Sequence, residues 1–138
     1  MRLELKAFQE AADEDLVTKV RRGAGIAGPN SPQAVMLSAP TGAGKTVIAT
    51  RLIERIFDGD DQADSEPGAV FLWTTDLPEL NQQTFEKMVD TSDVLSAMSL
   101  EIIDSTFNSR TFLPGRVHFL NTQKLGKDKL LTTLRDGR

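Results

Sequence analysis

The sequence predicts an α/β fold, a mainly parallel sheet flanked by helices, and three observations predict it. Short apolar runs at residues 34–37 and 69–73 alternate with stretches of helical periodicity, the order expected of a parallel sheet with helical crossovers. The run Ala69-Val70-Phe71-Leu72-Trp73 is apolar without interruption, as in a strand covered on both faces. Between the first run and the next helical stretch lies Ala39-Pro40-Thr41-Gly42-Ala43-Gly44-Lys45-Thr46, a phosphate-gripping loop in the strand, loop and helix setting that such a loop requires.

The elements follow in order. Leu3, Leu5, Phe8, Ala12, Leu16, Val17 and Val20 fit one stripe of a helix that is expected to end at Gly23. Residues 23–32, rich in Gly, Pro, Asn and Ser, form a linker. A first strand is expected over residues 33–38, then the phosphate loop, then a helix over residues 45–57. The acidic stretch 58–68 reads as an exposed loop and residues 69–73 as the second strand. Asp76-Leu77-Pro78-Glu79 is a capping box with proline in the first turn, opening a helix that runs to Val89. Residues 90–98 have room for one or two further helical turns. Residues 100–104 and 116–120 are two more strand candidates, with a turn at Pro114-Gly115 between them, and residues 124–138 are polar and expected to be helical. Ligands of such sheets bind at the carboxyl ends of strands, where the phosphate loop sits.

Composition bounds the function. At 138 residues the chain holds one domain at most, and 39% hydrophobic with 26% charged residues is ordinary for a globular protein. With no cysteine there is neither a disulfide framework nor a cysteine zinc site. No apolar stretch approaches the roughly 20 residues of a membrane-spanning helix, and no secretory signal opens the chain, so a cytoplasmic location without a membrane partner is expected. The net charge of −4 offers no overall basic field for nucleic acid. Acidic residues cluster at 10–15 and 58–66, while Lys124, Lys127, Lys129 and Arg135 make the one basic region, a solvated helix face or a contact surface.

Each loop position has a mechanical reason. Gly42 and Gly44 lack a Cβ, so the backbone can turn its N–H groups toward an anion. Lys45 supplies a mobile positive charge for outer phosphates, and the Thr46 hydroxyl is the expected ligand of a magnesium ion that keeps most of its waters. The helix starting here points its positive dipole end at the phosphates, and Pro40 stiffens the approach. Thr41, Gly42, Ala43, Gly44, Lys45 and Thr46 are therefore the expected nucleotide-binding residues, with Lys45 and Thr46 in the catalytic role.

Read together, three blocks resemble the first RecA-like domain of superfamily 2 helicases and translocases, closest to the Res subunit of type III restriction enzymes and its DEAD/DEAH-box relatives. The loop at 39–46 is similar to motif I of that family. Phe71-Leu72-Trp73-Thr74-Thr75 with Glu79-Leu80-Asn81-Gln82-Gln83 is similar to motif Ia, although Pro78 stands where the DEAD-box form has arginine. Val117-His118-Phe119-Leu120-Asn121-Thr122-Gln123-Lys124-Leu125 looks like the segment around motif Ib in the Res group. Upstream, Gln9 in Leu5-Lys6-Ala7-Phe8-Gln9 resembles the glutamine that reads adenine. The resemblance implies a P-loop NTPase with a partial RecA-like domain: residues 1–32 an N-terminal helix and linker, residues 33–138 the ATP-binding part. It implies ATP and magnesium as cofactors, and Thr74, Thr75, Thr122 and Gln123 as contacts to the phosphates of a DNA strand. It further implies coupling to a second RecA-like domain and a modification subunit as partner.

Superfamily 2 motors also need an aspartate and glutamate on a later strand end. Asp104 ends an apolar run, but Glu101 interrupts that run, Ser105 follows where a glutamate should stand, and the segment precedes the motif Ib-like block. The sequence is thus expected to be an N-terminal piece of a larger motor that binds triphosphate and by itself hydrolyses it poorly or not at all. The first strand is then expected to lack a central neighbour. Two other readings stay open: a P-loop NTPase or kinase unrelated to DNA, and a degenerate nucleotide-binding module without activity. Trp73 and His118 are expected to be structural.

Overall fold

The computed structural model describes residues 1–104 and 111–122. Its elements are α1 (Ala7–Ile26), α2 (Lys45–Asp58), β1 (Val70–Thr75), α3 (Pro78–Thr91), β2 (Leu100–Ile102) and β3 (Arg116–Asn121). The strands form one sheet in the order β1-β3-β2, and both pairings are parallel. The architecture is therefore α/β with a small parallel sheet flanked by helices. Register sets Phe71 beside Val117, Trp73 beside Phe119 and Ile102 beside Phe119, which gathers these residues on one face because side chains alternate along each strand.

That face carries the core. Ile53 and Phe57 of α2, Met88 of α3, Leu95, Leu100, Val117 and Phe119 are buried together. Phe57 meets Phe71 edge-on with ring centroids 5.2 Å apart, and Phe85 meets Phe119 edge-on at 5.9 Å, the arrangement aromatic quadrupoles favour. Burying a side chain such as Phe119 stabilises the fold by roughly 1.5–3 kcal/mol. Helix α3 packs on all three strands and against α2, and α1 packs on α2.

Polar contacts lock α2 on both flanks. Toward α1, the buried Arg55 guanidinium donates to Asp13 Oδ2 and Glu14 Oε1, each at 2.8 Å, and to Asp60 Oδ2 at 2.7 Å. Arg21 adds two bonds of 3.0 Å to the Asp60 carboxylate and one of 3.2 Å to the Arg55 carbonyl. On the other flank, the buried Glu54 accepts from Ser92 Oγ at 2.6 Å and from the Asp93 N–H at 3.2 Å. Ser92 Oγ in turn accepts from the N–H groups of Val94 and Leu95 at 3.1 and 2.8 Å, which fixes the chain leaving α3.

Several expectations are corrected. Residues 33–38 form no strand, and Val35 and Met36 are exposed. A strand exists only with a neighbour to complete its hydrogen bonds, and among the described residues none lies beside this segment. Helix α1 does not stop at Gly23 but continues to Ile26, where the Ala27 N–H donates to the Gly23 carbonyl at 2.9 Å. Its inward face is Gln9, Asp13, Leu16 and Val17, whereas Leu3 and Phe8 point to solvent. The expected apolar stripe is thus rotated, because partners on α2 and the loop satisfy the two polar residues. The capping box at Asp76 does not form. Leu77 is the N-cap of α3, without a side-chain cap bond, and Asp76 instead accepts from Thr122 Oγ1 at 3.3 Å. Residues 92–99 make turns without a further helix, because Ser92 is engaged as described. The helix expected over residues 124–138 lies outside the described residues. The loop after α2 is wrapped around Asp60, whose Oδ1 accepts from the N–H groups of Gln62 and Ala63. The turn at Pro114-Gly115 forms as expected, with Gly115 at φ +73° and its N–H on the Ala69 carbonyl at 2.9 Å. Among the described residues no helix is long and apolar enough to cross a membrane.

Removing Arg55 would leave Asp13 buried without its cation and take one of two partners from Asp60. Arg55→Ala is expected to lower unfolding stability by about 3–5 kcal/mol, read by urea denaturation; a loss below 1 kcal/mol would contradict the network. Burial raises the Asp60 carboxyl, but hydrogen bonds from Arg21 and Arg55 outweigh it and hold the group well below its usual range. Its contribution is therefore complete above the usual carboxylate range and lost progressively as pH falls from there toward the depressed folded-state value. Asp13 has the opposite sign, because burial outweighs Arg55 and raises its carboxyl. Thermal melts should show Asp60→Asn less stable than the unsubstituted chain at neutral pH, with the gap narrowing below about pH 3.8; a gap that widens in acid would exclude this assignment.

Candidate nucleotide-phosphate site

The loop is shaped by two glycines in conformations that other residues avoid. Gly42 lies at φ +83°, and Gly44 at φ +80° with ψ +38°, both in the left-handed region. The Ala43 N–H donates to the Pro40 carbonyl at 3.1 Å, closing a tight turn whose third position, Gly42, takes the positive φ. Gly44 is the N-cap of α2 and offers no side-chain cap. The first N–H groups of α2 therefore have no intrahelical partner and sit at the positive end of the helix dipole, free to face an anion.

Helix α1 reaches the loop through Gln9, which is 7% exposed. Its Nε2 donates to the Ala43 carbonyl at 3.0 Å, and its Oε1 accepts from the Lys6 N–H at 3.0 Å. Glycine is favoured there by its φ, and a Cβ at Gly44 would displace the Gln9 amide from its place beside the loop. In this geometry both ends of the Gln9 amide hold the protein itself.

Thr41, Gly42, Gly44, Lys45, Thr46 and Val47 line a cleft of about 370 Å³, and Lys87 of α3 completes it. An adjoining hollow of about 350 Å³ shares Thr46 and Lys87 and adds Leu80, Gln83 and Thr84. Both volumes lie in the range of small-ligand sites. Lys45 and Lys87 are exposed and make no ion pair among the described residues. A larger hollow of about 600 Å³, lined mainly by apolar atoms, lies between Phe8 and Ala12 of α1, Ile48 and the loop backbone from 37 to 43.

Three of the residues expected at a nucleic-acid surface, Thr74, Thr75 and Thr122, lie at the carboxyl ends of β1 and β3. Thr75 pairs in register with Asn121, next to Thr122. Thr74 is exposed. The Thr75 hydroxyl is shared between the Leu77 carbonyl and Asn81 Oδ1, both at 2.9 Å, and the Thr122 hydroxyl is on Asp76 as described above. Thr75 thus joins the end of β1 to α3, and Thr122 joins the chain after β3 to the residue before the α3 N-cap. Gln123 lies outside the described residues, as does the basic region beyond it. Asn121 Oδ1, to which the sequence reading gave no role, is buried without a hydrogen-bond partner among the described residues.

Trp73 packs in the core, 6.4 Å from Phe119 by ring centroids. His118 is fully buried, accepts from the Leu113 N–H through Nε2 at 3.3 Å and lies 4.9 Å from the Phe112 ring. Burial lowers its pKa against the pull of Glu101, which keeps it neutral near pH 7. Among the described residues no group of three or more His, Asp or Glu could hold a metal. Lys87 is the site residue the sequence reading missed. On a polar helix it looks like any solvated lysine, and only the packing of α3 beside α2 brings it to the loop.

The family model described as type III restriction enzyme, res subunit, matches residues 2–137. No curated protein and no solved structure matches the chain. Because the family match takes in every element described above, the chain belongs to the type III restriction enzyme res subunit family, a family of helicase-type ATP-binding domains.

Proposed function

We propose that this chain binds ATP through residues 39–46, on a P-loop, RecA-like fold, as the ATP-binding part of a cytoplasmic DNA translocase or helicase of the type III restriction class. The observation that carries this reading is the pair of left-handed glycines, Gly42 and Gly44, leading straight into the uncapped start of α2 with Lys45 and Thr46 in the same cleft. Backbone N–H groups and the helix dipole then meet the inner phosphates, and Lys45 meets the outer ones. Thr41 completes the loop as a backbone donor, and Ala43 shapes it by donating its own N–H to the Pro40 carbonyl. Thr46 supplies one hydroxyl oxygen at the cleft, a donor set that suits magnesium, which keeps several waters when bound and neutralises phosphate charge.

Residues 1–32 form the unit that carries Gln9, and residues 33–138 the ATP-binding part. Through Ala43, Gln9 ties the first to the second, and an adenine reader at this position would also sense the shape of the loop. DNA would run across the carboxyl end of the sheet, where Thr74, Thr75, Thr122 and Gln123 contact phosphates and position the strand without reading sequence. Movement along DNA requires a second RecA-like domain to close on the nucleotide and complete hydrolysis. Sequence specificity falls to a modification subunit.

Magnesium-ATP at a hundred times its Kd is expected to stabilise the chain by about 2.7 kcal/mol. Lys45→Ala should weaken binding at least about tenfold. Absence of any thermal shift in the unsubstituted chain would overturn the ATP reading. Gly44→Ala should destabilise the fold by roughly 1–2 kcal/mol and reduce nucleotide binding with it. Replacing Thr122 and Gln123 by alanine should weaken single-stranded DNA binding by a similar factor for all sequences. A selective loss for one sequence would show base reading instead.

A further inference from the structure

We propose that Lys87 is a second cation of the nucleotide site, holding the outermost phosphate from the α3 side of the cleft; this rests on reading residues 39–46 as a triphosphate loop. Leu80, Gln83, Thr84 and Lys87 are spaced i, i+3, i+4 and i+7 along α3, so they form one stripe. That stripe lines the hollow shared with Thr46, and Lys87 at its end also lines the loop cleft with Lys45. The rest of the helix is anchored by Met88, fully buried in the core on the flank of the stripe, and by Phe85 and Val89, which pack against the core from the far side. The stripe is thereby held facing the start of α2.

The chemistry at Lys87 is that of an unfilled anion site. Its backbone belongs to the α3 hydrogen-bond ladder and its carbonyl also accepts from Thr91 Oγ1 at 2.7 Å, while its ammonium makes no ion pair among the described residues. The described residues lining the two hollows include no carboxylate. Two ammonium groups facing one cleft repel each other unless an anion lies between them. The loop N–H groups enclose the phosphates nearest the backbone, and oxygens turned away from the loop are left for a group on the other wall. A lysine, with a flexible stem and a compact charge, can reach them as a point contact. The phosphate farthest from the nucleoside is the one present in a triphosphate and absent from a diphosphate, so Lys87 distinguishes the two.

The test compares the unsubstituted chain, Lys87→Ala and Lys87→Arg for binding of magnesium-ATP and magnesium-ADP by calorimetry. Lys87→Ala is expected to lose about tenfold in ATP affinity, the worth of one charge-assisted contact, with ADP affinity unchanged, and Lys87→Arg is expected to recover most of the loss. An equal loss for both nucleotides, or none for either, overturns the role of Lys87 while leaving the loop reading intact if the unsubstituted chain binds ATP. Failure of the unsubstituted chain to bind either nucleotide overturns both. Lys87 is exposed, and a matching thermal melt without nucleotide verifies that the variants fold.

Discussion

The phosphate loop is only as rigid as the helix that follows it, and α2 is held in place by a charge cluster centred on one arginine. Arg55 is 5% exposed and bonds to three carboxylates contributed by α1 and by the loop after α2. A guanidinium suits this task because its planar fork presents five donors in fixed directions and keeps its charge when buried. Arg21 shares Asp60, so each positive group has more than one acceptor and the C-terminal end of α2 is tied both to α1 and to the loop that follows. Desolvating these charges costs much of what their attraction returns. The cluster therefore acts chiefly to fix geometry, while the aromatic and aliphatic core supplies most of the stability.

Helix α1 turns that constraint into a site. Gln9 and Asp13 are one turn apart on its inward face; the first holds Ala43 and the second holds Arg55. A single helix face thereby sets both the loop and the body of α2, and a shift of α1 along its axis would disturb both together. Gly44 is where the two meet, since its conformation disfavours a side chain and a Cβ there would push the Gln9 amide off the loop. The N-terminal helix is consequently part of the phosphate site and not an appendage to it.

Helix α3 connects the two proposed binding surfaces. Its first turn is joined to the end of β1 through Thr75 and Asn81, and a stripe about two turns long leads from there to the cleft beside Thr46. Any movement of α3 caused by an anion at the cleft would be felt at the carboxyl end of the sheet through this junction. That is the physical link by which nucleotide occupancy could bias contact with a strand of nucleic acid.

The sequence by itself determined what depends on neighbours along the chain. The loop at 39–46, the start of α2 at Lys45, the uninterrupted β1 run and the turn at Gly115 could all be read from residue types, because glycine freedom, proline rigidity and apolar periodicity act over a few residues. The resemblance of three ordered blocks to the Res group was legible for the same reason. Tertiary structure decided what needs a partner distant in sequence. Residues 33–38 have strand composition but no strand, since pairing belongs to two segments. Asp13 and Gln9 point inward on a helix whose pattern favoured Phe8, because Arg55 and Ala43 wait there. Thr122, not the first turn of α3, takes Asp76, and Lys87 joins the loop only because α3 lies beside α2. Local conformation follows from short-range sterics, whereas burial, ion pairing and the membership of a cleft are set when distant residues share a volume from which water has been excluded.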